Sequence, residues 1–386
     1  MITNQTFIKV IITLIVFFWS LSIHFGTFDL GIHVFGIIFF GIYHLFKTSK
    51  ALKSQFIGII LIGLFSVTTG IFNSSPEGYN RIINSSILFV LTQLSLISIA
   101  SFSNVGNKFI LKDNLLVFII ILSLIADIFI LNPGLSRVGG LFKEPSHLAI
   151  SIIPFLYTLY QKKESNYKFI IFIIIPILAL SFSSTFILAF LFLLSLHKFR
   201  ENRIKFLVYL LIVISPLLFV LFSYVDYINQ RVLGVLYVSA TSNVSSLVYI
   251  YGWESLFYYI KESFGFGIGI NGMGVPPFPD VETANLLASK DGRLYSNPDG
   301  SFMFSKFISE LGFIGLFIFL LGIKLIIKSI KYYNQYTPFE QFLWNSLVLL
   351  IFTSFIRGVG YFDGPFIIGS LAYFTLVKKG KRLELT

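Results

Sequence analysis

The sequence predicts an all-α polytopic membrane protein, with about 12 transmembrane helices and one large outer loop that contains an amphipathic helix. Three observations lead there. The chain is 55% hydrophobic and 18% aromatic with only 12% charged residues and a mean hydropathy of +0.84, where a soluble globular domain carries about 25% charged residues. Apolar runs of spanning or near-spanning length recur along its whole extent. One connection alone, 224–301, is too long for a simple turn. Residues 1–386 therefore read as a single integral membrane domain, with 224–301 inserted between transmembrane helices.

The runs fall at 8–25, 31–46, 55–72, 82–102, 115–131, 146–160, 168–181, 184–197, 205–223, 302–323, 341–356 and 363–377. The first follows Lys9 closely and has no small-residue cleavage pattern after it, so it reads as an uncleaved helix. Runs 168–181 and 184–197 are shorter than the ~17–25 residues of a perpendicular span. They read as a broken pair around Ser181-Phe182-Ser183-Ser184-Thr185, tolerable at that depth only against protein or a wet cavity.

Charge tests the count. With both termini cytoplasmic, twenty of the 29 lysines and arginines fall on inner segments and nine on the outer side, as the positive-inside rule requires. Acidic residues run the other way, so topology explains the net charge of +11 and no nucleic-acid partner is implied. The inner set is nearly all lysine. The outer set holds Arg81, Arg137, Arg231, Arg293 and Arg357, and a planar guanidinium matches phosphate oxygens better than an ammonium does. Five on one face favour an anionic ligand; for each alone, an interfacial anchor or ion pair is the alternative. With zero cysteines and five scattered histidines, no disulfide, thiolate nucleophile, metal or cofactor is expected.

The densest charged turn is Arg137-Val138-Gly139-Gly140-Leu141-Phe142-Lys143-Glu144-Pro145-Ser146-His147-Leu148-Ala149. Proline is tolerated at a first helical position, so a helix can begin at Pro145, with Ser146 helping to satisfy first-turn amides. Its positive end would then face Arg137 and form an anion site suited to a phosphate or pyrophosphate. A charged loop at the headgroup boundary is the alternative.

Within 224–301, Ile250, Trp253, Phe257, Ile260 and Phe264 recur at helical spacing, as an amphipathic helix lying on the membrane or capping the bundle. Tyr249, Tyr251, Tyr258 and Tyr259 add an aromatic surface that suits sugar stacking or an interfacial belt. Gly267 to Gly272 matches G-x-G-x-x-G formally, but no βαβ unit surrounds it, so a flexible turn into Pro276-Pro277 is expected. Asp280 and Glu282 are too few for a metal site. Lys306 and Glu310 lie near the outer end of a span, where burial of charge is costly, so they should face the bundle or pair; the same holds for Asp127. Arg357 and Asp363 flank the last outer turn. His24, His33, His44 and His197, near span ends, read as structural.

The stretch Arg137 to His147, the Ser-Phe-Ser-Ser-Thr break at 181–185, Trp253 to Gly269, and Asn297 to Gly315 ending in Glu310-Leu311-Gly312-Phe313-Ile314-Gly315 are similar to the Wzy-type bacterial polysaccharide polymerases of the O-antigen polymerase and ligase superfamily. The resemblance covers about 137–365. One departure is that no glycine stands eleven residues after Arg137 or Arg231, where Leu148 and Ser242 are found, so a two-loop catch-and-release scheme does not transfer. The resemblance implies inverting glycosyl transfer between undecaprenyl-pyrophosphate-linked oligosaccharides, making O-antigen or capsule on the periplasmic face of the bacterial cytoplasmic (inner) membrane. Membrane lipids, a chain-length regulator and a flippase are the implied partners. Charge developing on the departing pyrophosphate would be stabilised by Arg137 first, then Arg231 and Arg357, with Arg81 and Arg293. Glu144, His147 and Asp299 are candidate general bases, and Trp253, Tyr258 and Tyr259 candidate sugar contacts. A ligase with another acceptor and a flippase or transporter are the rival readings.

Overall fold

In the computed structural model, the residues described are 4–18, 22–25, 28–44, 53–102, 121–122, 145–161, 184–201, 244–291 and 300–383. They form a helical membrane protein. The helices are α1 (Asn4–Phe17), α2 (Ile32–His44), α3 (Lys53–Asn73), α4 (Tyr79–Phe102), α5 (Pro145–Gln161), α6 (Ser184–Glu201), α7 (Val244–Glu262), α8 (Glu282–Asp291), α9 (Met303–Ser329), α10 (Pro338–Thr353) and α11 (Gly364–Leu383). Segments Ser54–Asn73, Pro76–Ser101 and Met303–Gln335 are long and apolar enough to cross a membrane. Runs 115–131, 168–181 and 205–223 lie essentially outside the described residues, as does Asp127.

The run at 8–25 is the one whose extent needs correcting. Its helix stops at Phe17, and β1 (Ser22–Phe25) pairs antiparallel with β2 (Phe28–Gly31), Phe25 opposite Phe28. A glycine-containing pair, Gly26-Thr27, between two short alternating runs is a hairpin signal that hydropathy alone overlooks.

Alternation of direction follows from the contacts. Lys378 of α11 donates to the carbonyls of Ala100 (3.2 Å) and Ser101 (2.6 Å), so the C-termini of α4 and α11 share one end of the bundle. There too, Thr337 and Glu340 form a reciprocal cap at the start of α10, and Glu340 pairs with Lys379 at 3.1 Å. Gln161 closes α5 at this end: its side chain accepts from the Tyr333 hydroxyl and meets His197 of α6 at 3.0 Å, while Asn345 donates to Thr158 at 3.0 Å. The opposite end thus receives the C-termini of α3 and α10 and the N-termini of α4, α5, α9 and α11. The main apolar core runs between, from Ile8 and Ile12 through Leu96, Phe155 and Leu343 to Leu371.

At that second end α7 packs on α9, most tightly through a row beside the predicted stripe. Leu247, Tyr251, Ser255 and Tyr259 are its buried row, with Gly252 against Phe302, whereas Phe257 is 65% exposed. Small side chains allow close approach to α9, while Trp253 and Ile260 of the predicted stripe pack half-buried at the edge of the cluster around Phe307. Phe264, the last residue of that stripe, is left exposed beyond the helix.

Helix α9 is too long for a single span, about 40 Å against a hydrocarbon core of about 30 Å. It breaks at Gly312, whose φ of 60° and ψ of −142° are not helical. From Met303 to Gly312 every residue but the half-buried Phe304 is buried, and the exposed apolar side chains begin at Phe313 and continue to Ile327. The break therefore separates a buried head segment from a lipid-facing segment.

Candidate functional site

The loop 263–281 decides what this end of the bundle looks like. It is not a flexible turn. Ile268 N–H donates to Ser309 O (3.1 Å), Gly269 N–H to Glu310 O (2.9 Å), and Phe313 N–H to Gly265 O (2.9 Å), so the loop supplies the backbone partners that the break in α9 releases. Gly267 sits so close that a Cβ would lie 2.5 Å from Glu310 O. On its other side the loop is tied to α3 and α4: Ile270 N–H to Ser66 Oγ (2.7 Å), Asn271 Nδ2 to Ser85 Oγ (2.9 Å), and Asn73 Nδ2 to Gly267 O (3.0 Å).

Glu310 stands at the centre of this knot. Its side chain is completely buried, and its two oxygens accept the backbone N–H groups of Asn271 (2.9 Å) and Met273 (3.4 Å). Asn271 is left-handed (φ 59°), which turns neighbouring amides toward one point and makes an anion-binding concavity that the carboxylate fills. Lys306, one turn earlier and 4% exposed, supplies the positive charge, and its ammonium stands 5.5 Å over the Tyr361 ring. The expectation that Lys306 and Glu310 face the bundle is met. The Tyr361 hydroxyl, fully buried, lies beside the Glu310 carboxylate, short of good hydrogen-bond geometry. Burial, then the neighbouring Glu310 charge, holds this phenol well above its ordinary range. Tyr259 is raised too, by burial first and by surrounding tyrosines and Glu310. Both stay protonated at neutral pH, so neither is a base.

Two arginines border this pair. Arg81, in the first turn of α4, lays its guanidinium over Gly274, where a Cβ would meet both terminal nitrogens at 2.5 Å. A Cβ on Gly300 would meet both Lys306 Cβ and the Met273 sulfur at 2.8 Å, so Gly300 lies between Lys306 and the Met273 side chain. Arg357 enters through the 354–363 turn, whose carbonyls cap α9: Met303 N–H donates to Arg357 O (3.0 Å) and Phe304 N–H to Ser354 O (2.9 Å). Asp363 accepts from Gly360 N–H at 2.6 Å. Arg357 and Asp363 thus stand in the same turn, while Arg81 lies against Gly274 across the loop.

The other expected site residues divide. Arg137, Glu144, Arg231, Arg293 and Asp299 lie outside the described residues. His147 is half-buried in the first turn of α5, which begins at Pro145 as expected and points that turn toward the same end of the bundle. Trp253 packs among Tyr249, Phe257, Phe302 and Phe304, half-buried, and Tyr258 keeps an open edge. Tyr259 is 3% exposed, so its ring presents no face for stacking. Asp280 and Glu282 are exposed at the start of α8, and among the described residues no three His, Asp or Glu side chains converge as a metal-binding group. Tyr361 and Asn271 were not singled out in sequence. The signal for Tyr361 is its place in Gly360-Tyr361-Phe362-Asp363 beside Arg357; nothing local marks Asn271.

No family model matches the chain, and comparison with curated proteins returns no match.

Proposed function

We propose that the protein is a polysaccharide polymerase that joins undecaprenyl-pyrophosphate-linked oligosaccharide units by inverting glycosyl transfer on the outer face of the cytoplasmic membrane. The observation that supports it is the convergence of Arg81, Lys306 and Arg357 at one end of the bundle, under a capping helix that carries Trp253 and Tyr258. Guanidiniums held there suit the charge that grows on a departing pyrophosphate. Arg137 is the first candidate to join them, since the α5 N-terminus points to this end. The test is glycan length in vesicles that hold the protein and its lipid-linked repeat unit. A ladder with wild type and none with well-folded Arg137→Ala supports the reading. A product that forms only when a different acceptor is added replaces it with the ligase reading.

A transporter is the second reading, and the interrupted helix α9 favours it, because discontinuous helices line substrate sites in transporters. Movement of a lipid-linked oligosaccharide across sealed vesicles, without chain growth, would establish it.

A further inference from the structure

Hydropathy alone sets the chain after α7 outside the membrane, but its height along α3 sets part of it inside. The apolar segment Ser54–Asn73 has 20 residues. As a helix that is about 30 Å, which matches the hydrocarbon thickness of a bilayer. Asn73, its last residue, donates to Gly267 O. Seven residues further in, Ser66 Oγ accepts from Ile270 N–H, and a Cβ on Gly269 would lie 2.6 Å from Ser66 O. The loop then climbs back to Pro276, whose carbonyl accepts from Ser75 N–H just beyond the end of α3. Its backbone at 269–270 thus lies about 10 Å below that end.

At such depth an irregular backbone must find every partner within the protein. It does: all five amides of 267–271 donate to protein oxygens, on Ser263, α3 and α9. The open flank is apolar to match. Phe264 is 85% exposed and Phe266 56%. Phe264 is also left-handed, with φ 51°, a conformation that glycine or asparagine adopts freely and a phenylalanine only at a cost. In water that residue would be strained and bare at once. Around it the surface is continuous with the lipid-facing sides of two spans. The Phe266 ring stands 6.3 Å from Phe65, two turns inside α3, and Gly265 lies against the Phe313 ring, where the exposed row of α9 begins. Headgroup belts favour tryptophan and tyrosine, whose polar edges reach water; phenylalanine has no such edge and suits the acyl chains.

We infer that residues 264–271 form a re-entrant loop in the leaflet at this end of the bundle, with Phe264 and Phe266 immersed in lipid hydrocarbon. The assignment holds for a polymerase, a ligase or a transporter alike, and no lipid-linked substrate enters its test.

The chain has no cysteine, so a single introduced thiol reports without background. Phe264→Cys and Phe266→Cys, in the full chain in phosphatidylcholine–phosphatidylglycerol nanodiscs, are compared with Phe313→Cys on the lipid-facing side of α9 and Glu282→Cys at the exposed start of α8. Carrying a bimane label, both loop positions should be quenched by lipids with a mid-chain nitroxide as strongly as Phe313→Cys. Unlabelled, both should react with a charged maleimide about tenfold or more slower than Glu282→Cys, because the reagent is excluded from hydrocarbon. Maleimide rates equal to that of Glu282→Cys overturn the assignment. So does escape from the nitroxide lipid with oxidative crosslinking to a second copy, which would make the phenylalanines a contact between chains. Phe266 has no positive φ, so its variant carries the test if Phe264→Cys does not give monodisperse protein.

Discussion

The carboxylate of Glu310 and the backbone amide of Asn271 meet at 2.9 Å, and this contact fastens the broken helix α9 to the loop that repairs it. Removing the side chain strips the amides of Asn271 and Met273 of their acceptor and leaves Lys306 buried without its neighbouring acid. Breaking one partner of such a pair costs about 3–5 kcal/mol. Glu310→Ala should lower thermal stability in detergent by that order, and Lys306→Met with Glu310→Leu should recover much of it. A single Glu310→Ala as stable as wild type would mean that the pair holds nothing in place.

Gly312 has no tolerance for a side chain, since a Cβ would collide with the Gly265 carbonyl at a φ reserved for glycine. Gly312→Ala should reduce the folded, monodisperse fraction severely. Gly36→Ala, in open space within a helix, should be neutral or gain up to about 1 kcal/mol. Fluorescence-detected size exclusion compares the two directly.

Arg81 is exposed and Arg357 half-buried, and neither side chain is part of the apolar core. If they stabilise charge in the transition state, each alanine variant should lose activity by about 10²–10³-fold. Arg81→Lys should restore part, because charge returns without the planar fork. Loss of ladder with unchanged melting behaviour is the expected result; a Michaelis constant that rises while turnover holds would place the residue in ground-state binding alone.

Tyr361 gives the stability a pH signature. Its folded-state pKa lies above the unfolded value, so its contribution is complete below about pH 10 and is lost as pH climbs beyond that value. Tyr361→Phe should flatten the alkaline fall in melting temperature without altering the plateau between about pH 6 and 9. An unchanged alkaline slope would show that other tyrosines, Tyr259 first among them, carry the effect.

Much of this architecture was written in periodic hydropathy. The helix starting at Pro145, the long apolar helices near 55–72, 82–102 and 302–323, and the inward-facing Lys306 and Glu310 all follow from burying apolar runs and hiding charge. The hairpin at 22–31 was missed because alternation over so few residues is drowned by the aromatic and aliphatic side chains around it. The face of α7 was only partly legible: Trp253 and Ile260 do pack on the core, but the tightest contact uses serine, tyrosine and Gly252, which hydropathy scores as the wet side. Least legible was the loop 263–281: its glycines announce a turn, but nothing local says that their amides complete a helix forty residues further on. Asn271 was hidden for the same reason, since its role is set by a partner distant in sequence.

The position of Gly312 also bears on how the chain is made. The segment 313–329 carries Lys324 and Lys328 only toward its far end, so it enters the bilayer as an ordinary apolar helix during synthesis. Lys306 and Glu310 sit ahead of the break and need not cross hydrocarbon on their own helix. By then 263–281 has been synthesised, with α3 and α4 before it, so the amides of Asn271 and Met273 precede the carboxylate they receive. The charged head of α9 thus meets amides made before it, while the carbonyls of Ser354 and Arg357 that cap its first turn come later in the chain.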